Sequence, residues 1–271
     1  MTILQAIILG IVQGITEFLP ISSSAHLVLV PYIFDWQLPA DQIFSFDVLI
    51  QLGTLVAVIV YFRKDLYELI VGFFSALLKR DWGSGSFRLG ILLILASVPA
   101  GIIGLALKDL VEKVFHHAGI TGLFLIVTAG ILLLAERLGK RERTAGEQKW
   151  GDALIIGLFQ ALSIFPGISR SGATIAGGML RNLRREEAAR FSFLMSIPVL
   201  FMAGLVSALD LGGSADLSGF LPVLLVGFFV SALVGYASIH WLLSFLKTRP
   251  LYVFSIYCAV IGLITIVLFY G

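Results

Sequence analysis

Cysteine and charged residues are scarce in this chain of 271 residues. The single cysteine, Cys258, excludes an intrachain disulfide and a metal cluster held by several cysteines. Charged residues make up only 13% of the chain, which is not the composition of a soluble globular domain. The net charge of +2 comes from short basic segments rather than a basic patch, so we expect no nucleic-acid partner.

Apolar residues dominate instead, at 58% of the chain and with a mean hydropathy of +0.99. This composition predicts an all-α polytopic membrane protein, because a hydrocarbon core about 30 Å thick needs roughly 20 apolar helical residues per span. Segment 66–78 is too short to span and is predicted to lie at the interface. The predicted spans are residues 44–62, 88–107, 119–136, 190–209, 220–246 and 251–270.

Two further apolar regions, 2–33 and 152–180, are interrupted by prolines and polar residues. Each is long enough for two half-helices but is polar at its centre. Non-helical backbone at membrane depth is tolerated only where protein buries it or where it lines a cavity. Both regions are therefore predicted to be re-entrant helical hairpins.

The two interrupted regions are copies of one another. Residues 6–26 match residues 153–173 without a gap at an offset of 147, with eight of the 21 pairs identical. The same offset carries the Phe-Ser-Phe of 44–46 onto that of 191–193. We predict one integral membrane domain over residues 1–271, formed by repeat one (1–140), repeat two (151–271) and a cytoplasmic linker (138–151).

Each repeat then holds one hairpin and three transmembrane helices. Because three is odd, the second copy is predicted to be inverted in the membrane, and such repeats place their site at the repeat interface. Basic loops favour the cytoplasm, which puts 63–88, 137–151, 181–190 and 247–250 inside. The acidic loops 35–41 and 210–216 and both termini then lie outside.

Both hairpins carry a proline followed by serines. Pro20 precedes the serines of 22–24, and Pro166 precedes Ser169 and Ser171. Proline ends a helix and serine is a favoured N-cap for the next one, so each tip should present a helix N-terminus with free N–H groups. Two such termini facing each other predict an anion site, for which phosphate is a common occupant.

The two copies have diverged at the polar positions, where Glu17 pairs with Ile164, Ser23 with Arg170, and His26 with Ala173. Ionisable residues inside apolar runs are costly and are candidate functional groups. A symmetric transport site does not need different polar residues in its two copies, whereas a reaction centre needs residues with different roles. A lipid flippase or secondary transporter remains the alternative, since broken helices in inverted repeats are also typical of transporters.

Structural explanations stay open for some of these residues. Intramembrane serines often bond back to their own helix, and a glutamate near a helix end can reach the interface. Gly227, Ser231 and Gly235 recur every fourth residue and predict close helix packing, either within the chain or in a homodimer.

The motifs QGITEFLPISSSAH (13–26) and FPGISRSGATIAGGML (165–180) resemble those of the undecaprenyl-diphosphate phosphatase family of the bacitracin-resistance type. The resemblance covers essentially the whole chain. It implies hydrolysis of the terminal phosphate of undecaprenyl diphosphate, recycling of the lipid carrier for the cell wall, bacitracin resistance, a divalent cation (Mg²⁺ or Ca²⁺) and the bacterial cytoplasmic membrane. The implied catalytic residues are Glu17, Ser23, His26 and Arg170. The implied phosphate-binding residues are Ser22, Ser169, Arg170, Ser171, Gly172 and Thr174.

Our mechanistic hypothesis is that Ser23 attacks the terminal phosphorus and that His26, three residues further on, takes or positions its proton. Arg170 and the helix N-termini would stabilise the charge. Glu17 would hold the cation or orient His26. Gln13 is a weaker candidate ligand, because some relatives have a glutamate there. Direct attack by a water molecule is the alternative, and the site is expected to open to the outer face of the membrane.

Overall fold

The computed structural model describes residues 1–38, 40–107, 118–211 and 217–270, and of residues 40–45, 118, 206–211 and 217–220 the backbone alone. The described residues form helices and no strand, with one isolated bridge between Arg143 and Leu183. The helices are α1 (Ile3–Thr16), α2 (Ser23–Ile33), α3 (Ala40–Tyr61), α4 (Arg63–Lys79), α5 (Gly85–Ala106), α6 (Ala118–Leu138), α7 (Trp150–Leu162), α8 (Arg170–Leu180), α9 (Arg185–Leu211), α10 (Leu217–Leu246) and α11 (Tyr252–Tyr270), with a 3-10 turn at Ala145–Glu147.

Five of the six predicted spans are confirmed as long apolar helices. Helices α5, α6, α9, α10 and α11 are each long and apolar enough to cross a membrane. A sixth candidate is the pair α3 and α4, which bends by 75° between Tyr61 and Arg63. The interfacial segment predicted at 66–78 is the second arm of this bent pair. The chain is thus an all-α, multi-pass membrane protein.

The two interrupted regions each fold as two short helices, α1 with α2 and α7 with α8. The offset of 147 carries the start of α1 onto the start of α7, and both ends of α2 onto both ends of α8. At 1.5 Å per residue none of the four is long enough to span a membrane alone. The inverted orientation of the two copies, and their division into repeats at 140 and 151, stay predictions.

Packing partners also recur between the copies. Helix α1 packs on α10 and α7 packs on α5, while α3 packs on α9 and α6 on α11. The small residues of α10 let α1 approach closely. A Cβ on Gly10 would lie 2.9 Å from the Gly227 carbonyl oxygen, and one on Gly14 would lie 2.8 Å from the Gly235 nitrogen. Gly227 and Gly235 therefore pack against α1 of the same chain. This contact gives no support to the homodimer that was the other interpretation of these small residues.

An aromatic residue anchors each hairpin just before its tip. Phe18 meets Phe193 of α9 edge-on at 5.3 Å between ring centroids, and its repeat equivalent Phe165 stacks on Phe124 of α6 at the same distance. Aromatic pairs of this geometry add to the burial of apolar area. The Phe-Ser-Phe recurrence at 191–193 thus has a structural role, in positioning the first tip.

The linker between the repeats holds the start of the second hairpin. Asp152 is buried and receives Arg143 Nη2 and Arg181 Nε, each at 2.7 Å, together with the Lys149 N–H at 2.8 Å. A buried carboxylate needs such partners to remain charged. These contacts fasten the linker to α7 and to the turn that follows α8.

Candidate active site

The two hairpin tips touch each other, as the sequence predicts. The Ser171 hydroxyl of the second copy donates to the Leu19 carbonyl of the first at 3.0 Å. In return the Gly167 N–H donates to Ser24 Oγ at 3.3 Å. Residues more than 140 positions apart in the chain are thereby joined at the centre of the protein.

Serine N-caps begin both second helices. Ser22 Oγ accepts from the Ala25 N–H at 3.4 Å, and Ser169 Oγ accepts from the Gly172 N–H at 3.1 Å. The N–H groups of the first two residues of a helix precede its first intrahelical bond, so those of α2 and α8 are available to an anion. Both helix termini thus direct partial positive charge to the place where the tips meet.

Glu17 is the centre of the polar cluster. Its Oε2 accepts from Ser23 Oγ at 2.8 Å and from Gln13 Nε2 at 3.0 Å, while its Oε1 receives Arg170 Nη2 at 3.0 Å. The Glu17 side chain is 6% exposed and that of Arg170 13%. Three of the four predicted catalytic residues thus form one buried, charge-assisted network across the repeat interface.

His26 has other partners than the one expected. Its Nδ1 lies 2.7 Å from the Ser22 carbonyl oxygen and its Nε2 lies 2.7 Å from the Tyr257 hydroxyl. A carbonyl only accepts, so Nδ1 carries the proton, and in the neutral ring Nε2 then accepts from the Tyr257 hydroxyl. The expected pairing of Ser23 with His26 is wrong as a ground-state contact between these described residues. The side chain of Ser23, the first residue of α2, turns to Glu17, while the His26 ring folds back on the N-cap.

Three of the predicted phosphate-binding residues make polar contacts within the protein. Thr174 Oγ1 donates to the Arg170 carbonyl at 2.8 Å and lies 2.6 Å from Ser192 Oγ. The Ser171 hydroxyl is used between the tips, and the Gly172 N–H is used by the Ser169 cap. The other predicted binding residues, Ser22, Ser169 and Arg170, border the cavity described next.

A cavity of about 450 Å³ opens beside the network. Glu17, Ser23 and Arg170 lie on one wall. The facing walls carry polar residues that the sequence did not single out, namely Gln51, Ser97, Gln160 and Ser163. They come from α3, α5 and α7, and no local motif marks them, apart from the pairing of Gln160 with Gln13 in the repeat.

An apolar groove of about 480 Å³ continues from this cavity between α4, α5 and α9. Ser97 and Pro198 border both spaces. The groove is lined almost wholly by apolar side chains, among them Leu69, Phe73 and Ile94. It was not predicted, because it exists only through the bend that folds α4 beneath α5.

The donors that the cavity offers a metal ion are few. Among the described residues no group of three or more His, Cys, Asp or Glu side chains could hold a metal ion. Glu17 is the one carboxylate among the described cavity residues. Such a site fits a hard cation that takes one protein carboxylate and completes its shell with water and phosphate oxygens, as Mg²⁺ commonly does.

Comparison with known proteins identifies the family. Residues 6–264 match the family model of the bacitracin resistance protein BacA. Proteins named undecaprenyl-diphosphatase from Methanosphaera stadtmanae and Myxococcus xanthus are 44% and 43% identical, over 98% and 99% of this chain and 98% and 89% of their own lengths. One from Thermomicrobium roseum is 41% identical over 97% of both chains. The chain belongs to the BacA family of bacitracin resistance proteins.

Proposed function

We propose that this protein removes the terminal phosphate of undecaprenyl diphosphate and so recycles the lipid carrier of cell-wall synthesis, which confers bacitracin resistance. Relatives bearing the name undecaprenyl-diphosphatase match nearly the whole chain. The observation that carries the proposal is the buried contact of Ser23 and Arg170 with Glu17, at the point where two helix N-termini meet. The flippase or transporter alternative has no support among these relatives.

Ser23 is the nucleophile in this mechanism and Glu17 is its base. Ser23 already donates its proton to Glu17 at 2.8 Å, which is the geometry of general-base catalysis. Glu17 takes the Ser23 proton as the Oγ–P bond forms and the bridging P–O bond breaks, and it passes that proton to the departing lipid monophosphate. Water then attacks the phosphoserine and gives a proton to Glu17. The Oγ–P bond breaks, Glu17 returns the proton to Ser23 Oγ, and inorganic phosphate is released.

Charge stabilisation is the larger part of catalysis here, because a phosphate leaving group needs little acid assistance. Arg170 lies beside Glu17, and its fork fits phosphate oxygens. The N–H groups at the starts of α2 and α8 add donors that are fixed before the substrate arrives. Such preorganised donors stabilise the phosphoryl oxygens as negative charge shifts in the transition state.

The apolar groove is where we place the polyprenyl chain. The groove borders residues 90–98 of α5 and 194–198 of α9, whereas the cavity borders residues 97–101 and 198–203 of the same helices. Both helices start at the basic loops that we assign to the cytoplasm. The cavity then opens to the outer face of the bacterial cytoplasmic membrane, and the chain extends from it toward the bilayer centre.

A divalent cation, Mg²⁺ or Ca²⁺, is part of the proposal. Glu17 would hold it together with diphosphate oxygens and water, and when bound it would neutralise charge on the diphosphate. Gln13 presents its Nε2 to Glu17, so it serves the carboxylate as a hydrogen-bond donor.

Phosphate release by the purified protein in detergent tests the proposal, with a polyprenyl diphosphate as substrate and no membrane gradient. We expect Ser23→Ala and Arg170→Ala each to lower kcat by about 10²-fold or more. Ser163→Ala is the matched control, because this cavity serine donates only to its own helix, at the Gln160 carbonyl. A Ser23→Ala protein with normal turnover would rule out the serine nucleophile and favour direct water attack, and an inactive wild-type protein would contradict the proposed function.

A further inference from the structure

The buried side-chain amide of Gln160 makes no hydrogen bond to any described residue. The residue is 1% exposed, and neither its Nε2 nor its Oε1 has a hydrogen-bond partner among the described residues. Buried polar groups in native proteins are nearly always paired, so such an exception needs an explanation. Gln160 borders the cavity that holds Glu17 and Ser23, which points to a ligand as the missing partner.

The repeat explains how this amide came to be unpaired. In the first copy Gln13 donates to Glu17 one helical turn further on, at 3.0 Å. Gln160 occupies the equivalent position in the second copy, where Ile164 replaces the glutamate. The Gln160 amide therefore lacks the acceptor that Gln13 has, although a leucine or methionine at position 160 would avoid the cost of an unpaired polar group.

A second unpaired donor borders the same cavity. Arg170 Nη2 donates to Glu17, but Arg170 Nη1 is buried and has no acceptor in the part of the chain that the structure describes. Two N–H donors without acceptors at one cavity indicate a ligand with several acceptor oxygens. A diphosphate is such a ligand, and a neutral amide adds donors without adding charge.

The position of Gln160 assigns it to one end of the diphosphate. Helix α7 lies so close to α5 that a Cβ on Gly157 would be 2.5 Å from the Ala96 carbonyl oxygen. Gln160 lies three residues beyond Gly157 and borders the cavity, but it has no hydrogen bond to Glu17, Ser23 or Arg170. We propose, resting on the function proposed above, that the Gln160 amide binds the lipid-side phosphate of the substrate, while Ser23 and Arg170 act on the terminal one.

Gln160→Met tests this assignment, because it keeps the volume of the side chain and removes its donors. We expect kcat/KM for a polyprenyl diphosphate to fall about tenfold or more, the loss of one hydrogen bond to a charged acceptor. The melting temperature in detergent should stay the same or rise, since the substitution also removes an unpaired buried amide. Gln160→Glu should lose more activity, because it adds negative charge beside the phosphate.

Gln13→Met is the matched control at the twin position. It removes a donor to Glu17, so kcat should fall and inhibition by diphosphonate should change little. Inhibition by methylenediphosphonate should weaken in Gln160→Met, whereas inhibition by inorganic phosphate should not. Wild-type kcat/KM in both Gln160 variants, or equal loss of affinity for both inhibitors, would overturn the assignment. Wild-type protein without any phosphate release would overturn the proposed function itself.

Discussion

His26 acts on the reaction centre through the backbone of Ser22. Ser22 has φ +72°, a region that non-glycine residues occupy at a cost of about 1 kcal/mol or more. The His26 ring and the Ala25 N–H both bond to Ser22, and Tyr257 fixes the ring from α11. We infer that His26 is a positioning residue, which sets how Ser23 and the first turn of α2 face Glu17.

This inference predicts unequal losses of activity. Glu17→Gln removes the base and should lower kcat by about 10²-fold or more. His26→Gln alters both contacts of the ring and Tyr257→Phe removes one of them, and each should lower kcat by about tenfold at most, with little change in KM. Phosphate release measured side by side decides the matter. A His26→Gln loss as large as that of Glu17→Gln would mean that His26 takes the proton of Ser23 during the reaction.

Tyr257 is a site residue that the sequence does not predict. Glu17, Ser23 and Arg170 could be predicted, because ionisable or nucleophilic side chains beside a helix break are unusual in apolar runs. Tyr257 lies 231 residues from His26 in an ordinary apolar span, and only the packing of α2 near α11 brings them together. The contacts of Thr174 were also not predictable, since the motif does not show that its hydroxyl bonds to its own helix and lies against Ser192.

At the scale of elements, the helix breaks were predictable and the spaces between helices were not. Pro20 and Pro166 with their serines mark the breaks through purely local chemistry. The 75° bend after Tyr61 agrees with a span followed by an interfacial segment. The groove that the bend creates depends on how α4 packs under α5, which no local pattern encodes.

If the groove holds the polyprenyl chain, filling it should affect long substrates most. Ile94 borders the groove and is exposed to the membrane, so Ile94→Trp adds bulk there without overpacking the core. We expect kcat/KM to fall for a long-chain polyprenyl diphosphate and to change little for a short-chain one. Ile102→Trp is the control, being equally exposed on α5 but bordering neither space. Equal effects of the two variants on both substrates would place the chain elsewhere.

At the scale of the whole molecule, the residues that match between the two copies form the hairpins, and the residues that differ form the reaction centre. The same offset aligns the hairpin helices, the serine caps and the aromatic anchors of the two copies. Glu17 pairs with Arg170, the repeat equivalent of Ser23, whereas the other two equivalent positions hold Ile164 and Ser23, so this ion pair occurs once and not twice. A one-sided site in a duplicated chain follows from the placement of a few unlike residues.

Inversion predicts that equivalent positions of the two copies lie on opposite sides of the membrane. Gln37 and Arg184 are such a pair, 147 residues apart, and both are exposed in the structure. Cys258 is 0% exposed, so the native cysteine should not react with a water-soluble maleimide, and Cys258→Ala provides the background for labelling. We expect Gln37→Cys to be labelled in intact cells and Arg184→Cys only after the membrane is opened, because its loop is basic. Labelling of both from the same side would contradict inversion while leaving the reaction centre as described, since the contacts between the tips do not depend on which side faces out.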